Sequence, residues 1–259
     1  MAKVTRITSR RSPLLARLRK LADDGASYRR LGVVLLEGEH LCAAWVARPG
    51  APVSHAIVSV DAWDEPHLRR LAEAAAEVAI VDAATIGEIG TLDSPAPIAF
   101  LVPAPERATV VAGYPTLVLD RLQDPGNVGS VLRSAAAFGF VQAIALAGTA
   151  ALWSPKVVRA GMGAHFGLRL VEGADEATLA ELAVPLFGTS SHAAERLDGF
   201  ALPWPCAWVF GHEGQGIAPA VAARCRAMLA IPQPGGMESL NVGAAAAVCL
   251  YETARQRGR

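Results

Sequence analysis

Short apolar runs alternate with helical patterns in the first hundred residues. The runs "LGVVLLEG", "HAIVSV", "VAIV" and "IAFLV" have the length and composition of buried strands, and residues 65–77 have a helical pattern. Ser12 and Pro13 open a further helix, in which leucines recur at helical spacing between basic residues. The alternation predicts a small α/β domain over residues 1–102.

A second α/β series follows a segment rich in proline and glycine. Residues 103–114 have the composition of a linker. The strand-like runs "TLVLD", "VQAIALA", "VPLFGTS", "CAWVFG" and "AMLAIP" come next, with helical stretches around 128–138, 174–182 and 219–223 and a last helix over 242–255. This order predicts a larger domain over residues 115–259, built on a mostly parallel sheet that is covered on both faces.

Composition narrows the class of protein. Of 259 residues, 52% are hydrophobic and 19% are charged, so the chain can form a sizeable core. The formal net charge is zero, which argues against a uniformly basic surface, yet the first 30 residues are strongly basic. Such a segment can neutralise RNA phosphates or can be the solvated face of a helix.

Cysteine usage and hydropathy point to a reducing compartment. The four cysteines are scattered, without a C-x-x-C pair and without histidines at metal-ligand spacing. The basic N-terminus lacks the apolar region of a signal peptide, and no apolar run is long enough to cross a bilayer. We therefore expect a cytoplasmic protein that has neither a metal site nor a membrane anchor.

Three loops at predicted strand ends could carry chemistry. In "DPGNVGSVLRSAAAFG", Asp124 or Asn127 can cap the helix that Gly139 ends, whereas Arg133 belongs either to a structural salt bridge or to a site. In "VFGHEGQGIA", the glycines allow close approach to a ligand, although a plain turn explains them as well. In "IPQPGGMESLNVG", Ser239 and Asn241 are helix caps or site residues. Loop histidines are more often polar contacts than bases.

Together the three loops resemble one family. The order N-x-G-x(3)-R, G-x-E-G-x-G and I-P-x(6)-S-L-N-V is similar to that of the SpoU/TrmH-type RNA 2′-O-ribose methyltransferases of the SPOUT class. The segment "SPKVVRAGMGAHF" also resembles the stretch between the family's first and second motifs. The front part, with "ITSRRSPLLARLRKL" and "VVLLEGEHL", resembles the family's substrate-binding domain, which is similar to ribosomal protein L30e.

The resemblance implies a mechanism and a set of roles. It implies S-adenosylmethionine as methyl donor, a C-terminal domain with a deep trefoil knot, a homodimer, and an RNA substrate, with rRNA favoured over tRNA. The implied catalytic residues are Asn127, Arg133, Glu213, Ser239 and Asn241. The implied cofactor-binding residues are Thr189, Gly211, Ile231 and Leu240, and the implied RNA-binding residues are Arg10, Arg11, Arg17 and Lys20.

The sequence departs from the family pattern at three positions, and two other functions remain as alternatives. Gly161 and Gly243 stand where serine is common in the family, and Gly167 stands where arginine is common. A nucleotide-dependent oxidoreductase should carry a G-x-G-x-x-G fingerprint, which the chain lacks. A non-catalytic RNA-binding module is the other alternative, and the joint presence of the three motifs argues against it.

Overall fold

A computed structural model describes residues 2–91, 95–236 and 239–258. Met237 and Glu238 of the third loop therefore lie outside the described residues. The chain divides into two compact units, one formed by Met1–Glu106 with Trp153–Gly163 and the other by Arg107–Leu152 with Ala164–Arg259.

Strands and helices alternate along the chain, as the hydrophobic pattern predicts. The strands are β1 (Lys3–Arg6), β2 (Val33–Glu37), β3 (His55–Ser59), β4 (Glu77–Val81), β5 (Ile98–Pro103), β6 (Thr116–Asp120), β7 (Gln142–Leu146), β8 (Arg169–Ala174), β9 (Leu186–Thr189), β10 (Glu195–Arg196), β11 (Ala207–Gly211) and β12 (Ala227–Ala230). The helices are α1 (Pro13–Asp23), α2 (Tyr28–Leu31), α3 (Glu39–Val46), α4 (Val60–Asp64), α5 (Pro66–Ala72), α6 (Ala83–Ile89), α7 (Pro125–Ala137), α8 (Pro155–Gly161), α9 (Pro219–Ala222) and α10 (Val242–Arg257).

The first unit contains a mixed five-stranded sheet. Its order is β1-β4-β3-β5-β2, in which β4 pairs in parallel with β1 and β3, and β5 runs antiparallel to β2 and β3. Strands β2 to β5 are almost wholly buried, as their continuous apolar runs require. Helix α1 buries Leu15, Leu18 and Leu21 on one face, and α8 packs on β2 within this unit.

The second unit contains a seven-stranded sheet. Its order is β10-β12-β9-β11-β6-β7-β8, and all its neighbouring strands pair in parallel. Strands β6 and β7 are buried throughout and β11 is buried except at Gly211, with Val118, Ile144 and Val209 in the core. Helix α10 packs on α7 and β11. The parallel sheet predicted from the alternating runs is confirmed.

Some predicted elements differ from the structure. Residues 174–182 end β8 and continue as a 3-10 helix over Glu176–Glu181, whose first turn is capped by Asp175. The helical pattern over 65–77 is divided between α5 and the start of β4. Strand β1 was not predicted, because its four exposed, mostly polar residues carry no hydrophobic signal. Among the described residues, no helix is long and apolar enough to cross a membrane.

Candidate active site

Three adjacent parallel strands of the second unit end at one edge of the sheet. Gly211, the last residue of β11, lies in register with Asp120 at the end of β6, and β11 also pairs with β9, which ends at Thr189. Loops that follow parallel strands on the same edge form the usual ligand crevice of such sheets. All three loops singled out from the sequence lie in this unit, and the second one follows β11 directly.

A cleft of about 670 Å³ opens at this edge. Its size is in the range of small-molecule sites. All four residues predicted to bind the cofactor line it, namely Thr189, Gly211, Ile231 and Leu240. Glu213, Ser239 and Asn241 line it as well, and Met228, Leu229 and Ile217 supply apolar walls. Apolar walls combined with backbone groups of a glycine-rich loop fit a cofactor that carries a nucleoside.

The glycine-rich loop after β11 folds back tightly on itself. A Cβ at Gly211 would overlap the backbone carbon of Gly216 and the nitrogen of Ile217, so only glycine fits there. The Gly216 amide donates to the carbonyl of His212 (2.8 Å), and the His212 Nδ1 accepts from the amides of Gly214 (3.0 Å) and Gln215 (3.3 Å). His212 therefore closes the turn as a polar contact, as expected for a loop histidine.

A directional row of hydrogen bonds joins the three loops. Asn127 Nδ2 donates to Glu213 Oε1 at 3.2 Å, and Asn241 Nδ2 donates to Asn127 Oδ1 at 3.0 Å. Asn241 Oδ1 then accepts from the amide of Gly243 at 2.8 Å, which caps the start of α10. Because each amide uses its nitrogen towards one neighbour and its oxygen towards the other, the orientation of both asparagines is fixed.

The carboxylate of Glu213 is the acceptor end of this row. Partial burial acts to raise its pKa, but hydrogen bonds from its own amide, from Asn127 and from the amides of Gln123 and Asp124 outweigh it, so the pKa lies below its ordinary value. Glu213 is consequently ionised at neutral pH and can only accept hydrogen bonds. It binds the start of α7 to the loop after β11.

Comparisons with known proteins identify the family of the chain. The profile of the SpoU rRNA Methylase family matches residues 115–251. An uncharacterised tRNA/rRNA methyltransferase of Synechocystis is 32% identical, and the match covers 98% of this chain and 95% of the relative. The chain belongs to the SpoU rRNA methylase family. The family predicted from the three loops is thereby confirmed.

Two further similar proteins match most of the chain. The 23S rRNA (guanosine(2553)-2′-O)-methyltransferase RlmP of Bacillus subtilis is 29% identical, over 84% of this chain and 86% of the relative. The structure of the SpoU methyltransferase AviRb from Streptomyces viridochromogenes, in complex with AdoMet, superposes with a TM-score of 0.83 at 25% identity. That superposition covers 95% of this chain and 98% of AviRb, so it extends over both compact units.

Arg133, which the sequence predicts to be catalytic, makes no hydrogen bond to the row that joins the three loops among the described residues. It is exposed on α7, on the side of the helix where Ser130 and Ala137 also lie exposed, and it does not line the cleft. Among the described residues it has no ion-pair partner, so the alternative of a structural salt bridge has no support there. A solvated guanidinium without an internal partner is available to an external anion.

Sequence reasoning missed Asp120 and Arg121 in the SpoU domain. Asp120 is a buried carboxylate that accepts from Arg121 Nε at 2.8 Å and from the amide of Ala218 at 2.6 Å. Arg121 has a φ of 59°, an uncommon value for a residue with a side chain. The signal that could have found the pair is a carboxylate as the last residue of an otherwise apolar strand.

The predicted RNA-binding residues lie in the first unit and differ in their surroundings. Arg10 pairs with Glu88 at 2.8 Å, and Lys20 pairs with Asp24 at 3.4 Å. Arg17 donates to the carbonyl of Leu31 at 2.6 Å. Arg11 is exposed and, among the described residues, its side chain has no partner. Arg11 is therefore the cation of this set that is most accessible to a phosphate.

The three glycines that depart from the family pattern differ in their structural environment. A Cβ at Gly167 would meet nothing within 4 Å, so the missing arginine leaves open space. Gly161 is buried at the end of α8 in the first unit. Gly243 lies against Ser130 of α7, whose Oγ would be 3.3 Å from an added Cβ, so small size at residue 243 lets the two helices approach closely. Among the described residues, no cluster of potential metal ligands occurs.

Proposed function

We propose that this chain transfers a methyl group from S-adenosylmethionine to the 2′-hydroxyl of a ribose in a structured RNA, with rRNA as the substrate. The observation that carries the proposal is the row Glu213–Asn127–Asn241, in which Asn127 joins two residues that line the cleft, Glu213 and Asn241. Relatives named as 23S rRNA 2′-O-methyltransferases, among them RlmB and RlmP, support rRNA as the substrate class. Membership of the SpoU family supports S-adenosylmethionine as the cofactor.

The reaction needs alignment and removal of a proton. S-adenosylmethionine supplies a methyl group on a positively charged sulfonium, and transfer breaks the carbon–sulfur bond as the ribose oxygen bonds to that carbon. A ribose hydroxyl is barely ionised at neutral pH, so its proton must leave as the new bond forms. We assign to Arg133 the binding of the adjacent phosphate and the stabilisation of the developing alkoxide, while phosphate or water accepts the proton. A guanidinium remains protonated and suits this role better than that of base.

We assign the remaining site residues to binding and orientation. Thr189, Gly211, Ile231 and Leu240 border the space for the cofactor. Asn127, Ser239 and Asn241 orient the ribose, and Glu213 keeps the amide of Asn127 turned so that its oxygen faces Asn241. A row that is already hydrogen-bonded needs little reorganisation when substrate arrives.

We further propose that the first unit binds the RNA. We assign residues 1–102 to an L30e-like substrate-binding domain, residues 103–114 to a linker and residues 115–259 to the methyltransferase domain. Basic side chains around α1, with Arg11 the most accessible, supply phosphate contacts. Removing residues 1–12 should weaken RNA binding and reduce its salt dependence, and an unchanged salt slope would exclude this role.

We also propose a homodimer, a cytoplasmic location and a deep trefoil knot in the C-terminal domain. Val248 and Tyr251 are 40% and 54% exposed and lie three residues apart on α10, so two large apolar side chains face outward from a helix that packs on α7. A surface of this kind supports pairing with a second copy. Membership of the SpoU family, together with the resemblance of the three loops to the SPOUT class, supports the knot. Sedimentation should give twice the chain mass of 27.0 kDa.

Mapping of 2′-O-methyl groups tests the activity. Total RNA treated with S-adenosylmethionine and the protein should gain methylation at a defined rRNA position, and RNA treated with Arg133→Ala should not. Arg133→Ala should still bind S-adenosylmethionine, because Arg133 does not line the cleft. A gain only in tRNA would move the substrate to tRNA, and no gain in any RNA would refute the activity. Near-normal single-turnover transfer by Arg133→Ala would refute its assigned role.

A further inference from the structure

Arg121 has an unusual backbone and a dense set of contacts beside the cleft. It follows β6 directly and has a φ of 59°, in the left-handed region that side chains with a Cβ rarely adopt. Such a backbone persists only where the surrounding structure holds it in place. Because this conformation is unfavourable, the contacts of the Arg121 side chain indicate what holds the residue in it.

The guanidinium of Arg121 joins a buried carboxylate to the glycine-rich loop. Its Nε donates to Asp120 Oδ1 at 2.8 Å and its Nη2 to Asp120 Oδ2 at 3.2 Å. The other side of the fork reaches the loop after β11, where Nη1 donates to Gln215 Oε1 at 3.0 Å and Nη2 to the carbonyl of Gly216 at 3.3 Å. Asp120 also accepts from the amide of Ala218 at 2.6 Å, so the carboxylate and the guanidinium hold the same loop.

The stem and backbone of Arg121 are fixed by a third loop. Its amide donates to Thr149 Oγ1 at 3.1 Å, and that hydroxyl donates to the carbonyl of Leu119 at 2.9 Å. A Cβ at Gly148 would lie 3.2 Å from Arg121 Cγ, so glycine at 148 leaves room for the arginine stem. Arg121 therefore lies where the loops after β6, β7 and β11 meet.

We propose that Arg121 is a positioning residue for the cofactor cleft, which acts by holding Gln215 and Gly216 in place. Both of these residues line the cleft, whereas Arg121 does not. The loop is held at Glu213 by Asn127 from one side and at Gln215 and Gly216 by Arg121 from the other. Loss of the arginine should release the second attachment and leave the first in place.

The geometry requires arginine specifically. Only a guanidinium has donors that can reach the carboxylate and two loop oxygens at the same time. A lysine at 121 can pair with Asp120 but has one nitrogen to share among the remaining acceptors. Lysine and alanine both keep a Cβ, so neither relieves the backbone at residue 121 as glycine would. Their effects therefore report on the side chain.

Calorimetric binding of S-adenosylmethionine to the full chain tests the proposal. Arg121→Ala should raise the dissociation constant about tenfold, the effect of losing hydrogen bonds to a charged group. Arg121→Lys should recover stability through Asp120 but not affinity. The matched control is Arg196→Ala, which removes an arginine paired with Asp198 (2.9 Å) in the same unit and away from the cleft, and it should bind as wild type does.

A double-mutant cycle separates positioning from a general loss of stability. If Arg121 acts through Gln215, then Arg121→Ala combined with Gln215→Ala should weaken binding by clearly less than the product of the two single effects. The Michaelis constant for RNA should stay unchanged in Arg121→Lys while that for S-adenosylmethionine rises. Independent single effects, or unchanged cofactor affinity in Arg121→Lys, would overturn the proposal. Calorimetry measures only cofactor binding, so this part of the test is valid even if the RNA substrate is misassigned.

Discussion

Single side chains determine the direction of the hydrogen bonds in the site. Asn127 donates to Glu213 and accepts from Asn241, and both distances are within hydrogen-bonding range. Asn127→Asp would replace the donor with a second carboxylate facing Glu213, whose lowered pKa keeps it charged. Like charges at this separation repel, so we expect about a tenfold loss of S-adenosylmethionine affinity and a larger loss of methyl transfer.

The partner substitution provides the control for Asn127→Asp. In Asn127→Asp with Glu213→Gln, the new amide can donate to the new carboxylate, which replaces the like-charge pair with a hydrogen bond. The cost is one of the two acceptor oxygens that the amides of Gln123 and Asp124 use at residue 213. Calorimetry should therefore show tighter cofactor binding by the double variant than by Asn127→Asp alone. Equal binding by the two variants would show that the hydrogen bond between residues 127 and 213 does not organise the cleft.

The sequence singles out candidate site residues, but it does not predict how those residues contact one another. Asn127, Glu213 and Asn241 belong to recognisable motifs, but residues 127 and 213 are far apart along the chain, and their contact exists only once β6 and β11 are neighbours. Arg121 belongs to no recognisable motif, and nothing in the sequence indicates that its backbone is left-handed. Contacts made by tertiary structure are invisible to local patterns.

At the scale of elements, two glycines of the seven-stranded sheet differ in what a larger side chain would meet. A Cβ at Gly211 would overlap backbone atoms of Gly216 and Ile217, which cannot move without unfolding the loop. A Cβ at Gly188 would instead meet the ends of the Met228 and Ile217 side chains, which can rotate. We expect Gly211→Ala to cost about 1–3 kcal/mol of stability and to abolish cofactor binding, and Gly188→Ala to cost less.

Urea unfolding and calorimetry on both variants check this difference. Because the two glycines lie near the ends of adjacent strands, they share a similar environment, and the kind of atom met by the new methyl group is what differs. A larger loss of stability in Gly188→Ala than in Gly211→Ala would contradict the interpretation that backbone overlap is the more costly.

The predicted boundaries of strands and helices are most accurate where the hydrophobic signal is strongest. Buried parallel strands such as β6, β7 and β11 were predicted within a residue or two, because continuous apolar runs bounded by turns are distinctive. Strand β1 was missed because it is exposed and is defined by its pairing with β4. The 3-10 helix over Glu176–Glu181 was predicted as a longer helix, because composition alone does not separate the two.

At the scale of the whole molecule, one buried imidazole contributes to the response to acid. His165 in the second unit is 2% exposed, and its Nε2 lies 2.8 Å from the carbonyl of Leu152. Burial lowers the pKa of this imidazole to about 4, although the hydrogen bond with Leu152 acts in the opposite direction. The folded protein therefore keeps His165 neutral at pH values where the unfolded chain, with a pKa near 6.5, takes up a proton.

This difference in proton binding gives a signed prediction. The contribution of His165 to stability is fully present above pH 6.5 and is lost as pH falls towards 4, with a slope of at most about 1.4 kcal/mol per pH unit. Urea unfolding from pH 7.5 to 4.5 should show a shallower pH dependence for His165→Gln than for wild type. His192→Gln, at an exposed loop position, should keep the wild-type slope. Parallel curves for wild type and His165→Gln would mean that the unfolded chain gains no proton relative to the folded one at residue 165.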